Sequence, residues 1–309
     1  PLLLMAVASW PGNSPSQFSS PARGGGWWAW PLALVVHLIV LHRAAPGWPS
    51  LARGVSHLLG GLVLAALGAL QGRAITAGWG DATSAWAWLG WLAVPAALLL
   101  VLPHPATARA WPVKAAVWAY QTAAGAVLAS GLLVWALLAN VASDGSAAPL
   151  PHVSLLTPLD LGVGIALLAA WRWRASDGGP ASTGPFGGFV LAAIAADAFV
   201  WLNAILIRAF HHWTGVPFHL AAWMNSLAVQ TGISLLWTAT ALVLMWTAAR
   251  RTVRAPWVAG AVLLAAVVVK LMLVDLSASG TVTRIVSFIG VGVLMLVIGY
   301  VAPPPRREG

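Results

Sequence analysis

Long apolar runs separated by short gaps rich in Gly, Pro, Ser or basic residues recur along the chain. The clearest pair closes it: WVAGAVLLAAVVVKLMLVDL at 257–276 and RIVSFIGVGVLMLVIGY at 284–300 flank a tight SASGTVT connector. Taken in order, the apolar runs fall at 27–42, 54–70, 85–102, 113–139, 155–171, 186–207, 225–247, 256–274 and 285–301. Each is close to the roughly 20 residues that cross a hydrocarbon core as a helix. Lipid offers backbone N–H and C=O groups no partners, so a run of this kind satisfies them as a helix. The pattern predicts an all-α, polytopic transmembrane helical bundle of about nine spans. Residues 1–26 read as a truncated apolar segment and a Pro/Ser/Gly-rich loop, 27–301 as the transmembrane helical domain and 302–309 as a cytoplasmic tail. Pro31 interrupts the first run, Gly60 and Gly61 loosen the second, and Pro95 is expected to kink the third by removing a backbone donor. Gly68 and Gly72 stand at GxxxG spacing, which lets helices approach closely and is read as packing.

Composition agrees with the pattern. Hydrophobic residues make up 60% of the 309 and charged residues 7%, too few to solvate a soluble exterior. The net charge of +9 comes from single or paired basic residues at the ends of runs, so membrane borders rather than nucleic acid are expected. Many of the twenty Trp also fall near run ends, at headgroup level. No Cys is present, which excludes disulfides and thiolate metal sites. Pro1 leads directly into LLLMAVASW, which reads as the tail of an interrupted run, so the chain is expected to be a piece of a longer protein with further N-terminal spans.

Between runs, Arg43, Arg53, Arg109, Lys114, Arg172, Arg174, Arg250, Arg251, Arg254, Arg306 and Arg307 fall on one side. Arg23, Arg73, Arg208 and Arg284 fall on the other, and Lys270 lies within a run. Eleven against four predicts that the first side, with the C-terminus, is cytoplasmic.

Catalytic motifs are largely excluded. Glu308 is the single Glu, so neither an HExxH helix nor a glutamate pair exists. GxSxG and Walker A are absent, and GVGVLM after Gly290 lacks the strand–turn–helix context of a dinucleotide site. The informative residues are polar groups within apolar runs: Asp197, Asn203, Gln230, Lys270 and Asp275. An ionised group there costs a few kcal/mol or more, so Lys270 is expected to face the interior and pair with Asp275 or Asp197. The segment RAFHHWTGVPFHL places Arg208, His211 and His212 at helical spacing, with His219 following. These side chains suit an anionic headgroup or a proton; no carboxylate or Cys nearby completes a metal set, and no cofactor is expected. His37 and His57 read as hydrogen-bonded interior groups, Asp160 as a charge favoured near a helix N-terminus, and Asp81, Asp144 and Asp177 as solvated loop residues.

SLAVQTGISLLWTATALVLMWTAARRTVR, then VVVKLMLVDLSASGTVTRIVSFIGVGVLMLVIGY, then APPP, together with WLNAILIRAFHHWTGVPF upstream, carry a family resemblance. Over roughly the last third, the chain resembles the C-terminal region of the bacterial predicted membrane proteins grouped as domain of unknown function 2339. The resemblance implies a many-spanning helical protein of the bacterial inner membrane, usually longer than this chain, and no established activity. Its pattern residues here are Asn203, Arg208, Gln230, Lys270, Asp275, Arg284 and Ser287, without assigned roles.

The first expectation is a cell-envelope protein in which Arg208, Lys270 and Arg284 converge beside the His-rich loop to bind an anionic lipid or envelope-precursor headgroup. Its rivals are a proton- or ion-coupled transporter built on Asp197 and Lys270, and a membrane-embedded transferase that uses a loop His as general base. The charge bias makes one immediate prediction: a tag placed after Arg307 is protected from external protease and label in intact cells. Labelling from outside reverses the topology.

Overall fold

The computed structural model describes residues 20–81, 83–176, 185–271 and 292. The regular secondary structure of the described residues is all helical, with no strand among them. Eight principal helices are α1 (Gly26–Arg43), α2 (Ser50–Thr76), α3 (Ala85–Val101), α4 (Gly125–Ala142), α5 (Pro158–Arg174), α6 (Pro185–Thr214), α7 (Leu227–Arg251) and α8 (Arg254–Lys270). Each covers most of one of the first eight apolar runs; the ninth, with Asp275, Arg284 and Ser287, lies outside the described residues.

Five stretches among the described residues are long and apolar enough to cross a membrane: Arg23–Arg43, Ser50–Thr76, Trp118–Ala142, Phe186–Thr214 and Leu227–Arg251. α3, α5 and α8 are 17 residues each. At 1.5 Å per residue they extend about 25 Å, short of the roughly 30 Å hydrocarbon core. Among the described residues, five of the expected nine crossings are helices of full length.

Pro31 and Pro95 both lie inside continuous helices. Gly60 does not loosen α2, which runs unbroken for 27 residues; a side chain there would collide with the His37 imidazole of α1. Gly72 and Gly90 bring the α2 and α3 backbones together: a Cβ on Gly72 would meet Gly90 O, and one on Gly90 would stand 2.5 Å from Arg73 Cα. Gly68, one turn earlier, seats Val94 at 2.5 Å from where its Cβ would be. The GxxxG spacing thus serves packing, as small residues do where no hydrophobic driving force separates helix from lipid.

The chain forms two compact units, Pro1–Arg208 and Ala209–Gly309. In the first, Leu92 and Leu99 of α3, Leu128, Leu132 and Ala136 of α4, and Leu159, Val163, Ala166 and Trp173 of α5 make the core. A π-helical segment, Trp118–Ala124, leads into α4. It is pinned by Trp173 Nε1 donating to Gln121 O at 2.7 Å and by Gln121 Nε2 donating to Leu102 O at 3.2 Å. In the second unit, α7 and α8 pack through Ala241, Met245 and Leu264, with Gly260 against Met245.

The glycine contacts generate a paired prediction. Gly72→Ala forces backbone against backbone and should destabilise by about 1–3 kcal/mol. Gly131→Ala, in α4 with open space at its Cβ, should be neutral or stabilising by up to about 1 kcal/mol. Thermal unfolding of the detergent-solubilised variants checks the difference; equal effects would refute the close approach.

Candidate functional site

Arg208 is the most constrained polar residue of the first unit. The apolar run read from sequence stops at 207, but α6 continues to Thr214, so Arg208 belongs to the helix and not to a loop. Its side chain is 0% exposed. Nη1 donates to Asp160 Oδ1 at 2.8 Å, Nη2 to Asn140 Oδ1 at 3.1 Å, and Nε to Ser143 O at 3.2 Å. Asp144 adds a second carboxylate to its electrostatic surroundings and is half-buried, not a freely solvated loop residue.

Asp160 is held from the other side by its own helix start. Thr157 caps α5, its Oγ1 accepting from Asp160 N at 3.1 Å and donating to Asp160 Oδ2 at 2.7 Å, with Pro158 at the first helical position. Thr157 is thus a side-chain N-cap whose hydroxyl hydrogen goes to the Asp160 carboxylate. Trp201 Nε1 donates to Asp160 Oδ1 at 3.1 Å. The sequence shows the cap; it does not show that Arg208, 48 residues on, supplies the counter-charge. The arrangement ties α4, α5 and α6 together and commits Arg208 to internal partners, since desolvation at this depth demands the carboxylate it has.

Asp197, three turns earlier on α6, is the opposite case. It is 6% exposed, and neither carboxyl oxygen has a hydrogen-bond partner among the described residues. Asn203 donates from Nδ2 to Phe199 O at 2.8 Å, a local helix contact.

Between α1, α2 and the π-helical segment lies a further polar group. His57 is 1% exposed, and its Nδ1 stands 3.1 Å from Tyr120 Oη, which confirms it as a hydrogen-bonded interior group. His57 Nε2 and His37 Nε2 are buried with no partner among the described residues.

In the second unit, His211 Nδ1 lies 2.8 Å from Val216 O. A carbonyl only accepts, so Nδ1 carries the proton and Nε2 a lone pair. His211 also meets His212 edge-on at 4.8 Å between ring centroids. His219 Nδ1 accepts from Ala222 N at 3.1 Å and caps the short helix Leu220–Asn225. Lys270 Nζ of α8 donates to Gln230 O at 3.1 Å and to Ser234 Oγ at 2.8 Å, both on α7. Gln230 Nε2 in turn donates to Trp223 O at 3.0 Å. Lys270 thus binds a carbonyl and a hydroxyl of the neighbouring helix; Asp275, one of its expected partners, lies outside the described residues, as does Arg284. Among the described residues no group of three His, Asp or Glu side chains is placed to hold a metal ion.

The contrast between the two acids on the first unit's interior predicts opposite sensitivities. Arg208→Lys keeps the charge but loses the guanidinium fork that serves Asp160, Asn140 and Ser143 together, and should destabilise by about 1–3 kcal/mol. Asp197→Asn removes no hydrogen bond seen here and should stay within about 1 kcal/mol of the parent. Thermal melts in one detergent compare them; a larger loss for Asp197→Asn would contradict the assignment.

The sequence model of one family, described as Predicted membrane protein (DUF2339), matches residues 1–305, nearly the whole chain and far more than the last third that carries the quoted motifs. No curated protein and no solved structure matches it.

Proposed function

The chain belongs to the family of predicted membrane proteins DUF2339, and from that premise we propose that it couples a proton or a monovalent cation to transport across the membrane, with Asp197 as the cation-accepting group. One observation carries the proposal: a carboxyl buried in an apolar 29-residue membrane-spanning stretch, with both oxygens unpartnered among the described residues. A bare carboxylate in such surroundings is uncompensated by several kcal/mol, and taking up a small cation compensates it. Ionisable groups inside membrane helices mark ion pathways by default. His57, with a buried Nε2 that has no partner among the described residues, adds a group of the same kind to the unit.

This reading is preferred to headgroup binding at an outer cluster, which needed Arg208 beside Lys270 and Arg284; Arg208 is spent on Asp160. It is preferred to a His-based transferase because His219 is engaged as a helix cap. In the proposed arrangement the chain crosses a bacterial inner membrane about nine times and leaves its C-terminus in the cytoplasm. Taking Arg208 out of the loop count supports that orientation, since Arg23, Arg73 and Arg284 then remain on the opposing side.

Proteoliposomes with an internal pH dye, and a parallel set given radiolabelled sodium, test the proposal. One of the two cations should enter under its gradient roughly tenfold faster than into protein-free vesicles, and Asp197→Asn should bring the rate to background. No flux, or equal flux through Asp197→Asn, would end the proposal.

A further inference from the structure

The WRWR sequence that ends α5 sorts its residues by depth. Trp173 is buried at 1% exposure and donates into the π-helical segment, whereas Trp171 is exposed. The arginines differ as well. Arg174 Nε donates to Gly187 O at 2.8 Å, while Arg172 has no hydrogen bond or ion pair with any described residue. Arg172 lines a pocket of about 280 Å³ between the ends of α3 and α5, together with Leu100, Pro103, His104, Trp171 and Ser176.

The pocket's polarity is set by how its other polar groups are already used. His104 caps the short helix Pro105–Arg109, its Nδ1 accepting from Ala106 N at 3.3 Å. A ring nitrogen that accepts carries no proton, so the ring's N–H is on Nε2. Ser176 gives its hydroxyl hydrogen to Trp173 O at 2.7 Å. What is left open is a guanidinium with five donors and an imidazole N–H, beside Leu100 and Trp171. The partial negative charge of two helix C-termini, about half a charge each, is outweighed by Arg172 and Arg174 in the last turn of α5. The same side by sequence holds Arg109 and Lys114 in the loop after α3.

We infer that this pocket is a phosphate-binding site, taking the phosphodiester of an anionic membrane phospholipid or a free phosphate through Arg172 and His104. Planar guanidinium matches phosphate oxygens two at a time, and basic pockets at the cytoplasmic ends of membrane helices suit anionic headgroups. Leu100 and Trp171 then face the first carbons of the acyl chains. The site is separate from the Asp197 proposal, and either stands without the other.

Native mass spectrometry of the detergent-purified full chain, titrated with phosphatidylglycerol, phosphatidylcholine or inorganic phosphate, tests it. Phosphatidylglycerol should bind more tightly than phosphatidylcholine, and Arg172→Gln should weaken it by roughly tenfold, about the loss of one charged bidentate contact. His104→Asp keeps a cap acceptor while reversing the charge, and should weaken it at least as much. Arg43→Gln, at the exposed end of α1, should leave the affinity within about twofold. Competition by inorganic phosphate at equal concentration would identify free phosphate as the ligand, and its failure to compete would identify the lipid; both outcomes keep the phosphate site. Equal losses in Arg172→Gln and Arg43→Gln, or none in Arg172→Gln and His104→Asp, would overturn it.

Discussion

A guanidinium and a carboxylate removed from water and held 2.8 Å apart are the constraint on which the first unit depends. Neither Arg208 nor Asp160 is tolerable alone at that depth, because the desolvation of one ion is recovered only through the other and through the hydrogen bonds around both. Thr157 and Trp201 saturate the acid, and Asn140 and Ser143 take the remaining arginine donors. Leu–Leu contacts in lipid are nearly as good with acyl chains as with protein, so such a network does what apolar packing there cannot: it specifies which helices meet and in which register.

Against that saturated pair, Asp197, on the helix of Arg208, stands out as a buried carboxyl with no hydrogen-bond partner among the described residues. One acid consolidates the bundle; the other is the one proposed to take up a cation. The same division separates Arg174, tied to Gly187, from Arg172, which is open toward the pocket beside His104. Function in a protein this poor in charge is sought where a polar group lacks an internal partner, and structure where it has several.

The sequence makes the helices legible because run length is imposed by the bilayer: eight of the nine apolar runs coincide with helices of the described chain. It misplaces Arg208 because the apolar run stops just short of that charge at 207, whereas the helix continues to Thr214. Gly60 reads as a weak point because composition cannot show that His37 fills the space beside it. Asp160 is readable as a helix start from T-P-L-D, yet its counter-charge comes from another helix with no local signal. Lys270 meets Gln230 and Ser234, contacts that depend on how α7 and α8 pack and not on spacing along either. Asp197 is the candidate that sequence found and structure sharpened, since its burial followed from its position in an apolar run but its lack of partners did not.

The central claim, that Arg208 and Asp160 form one energetic unit across helices, is tested most directly by a double-mutant cycle with Arg208→Gln, Asp160→Asn and both together. Unfolding free energies in detergent should give a coupling of at least about 2 kcal/mol, with the double variant more stable than the sum of the single losses implies. Losses that add to within about 0.5 kcal/mol would contradict the account.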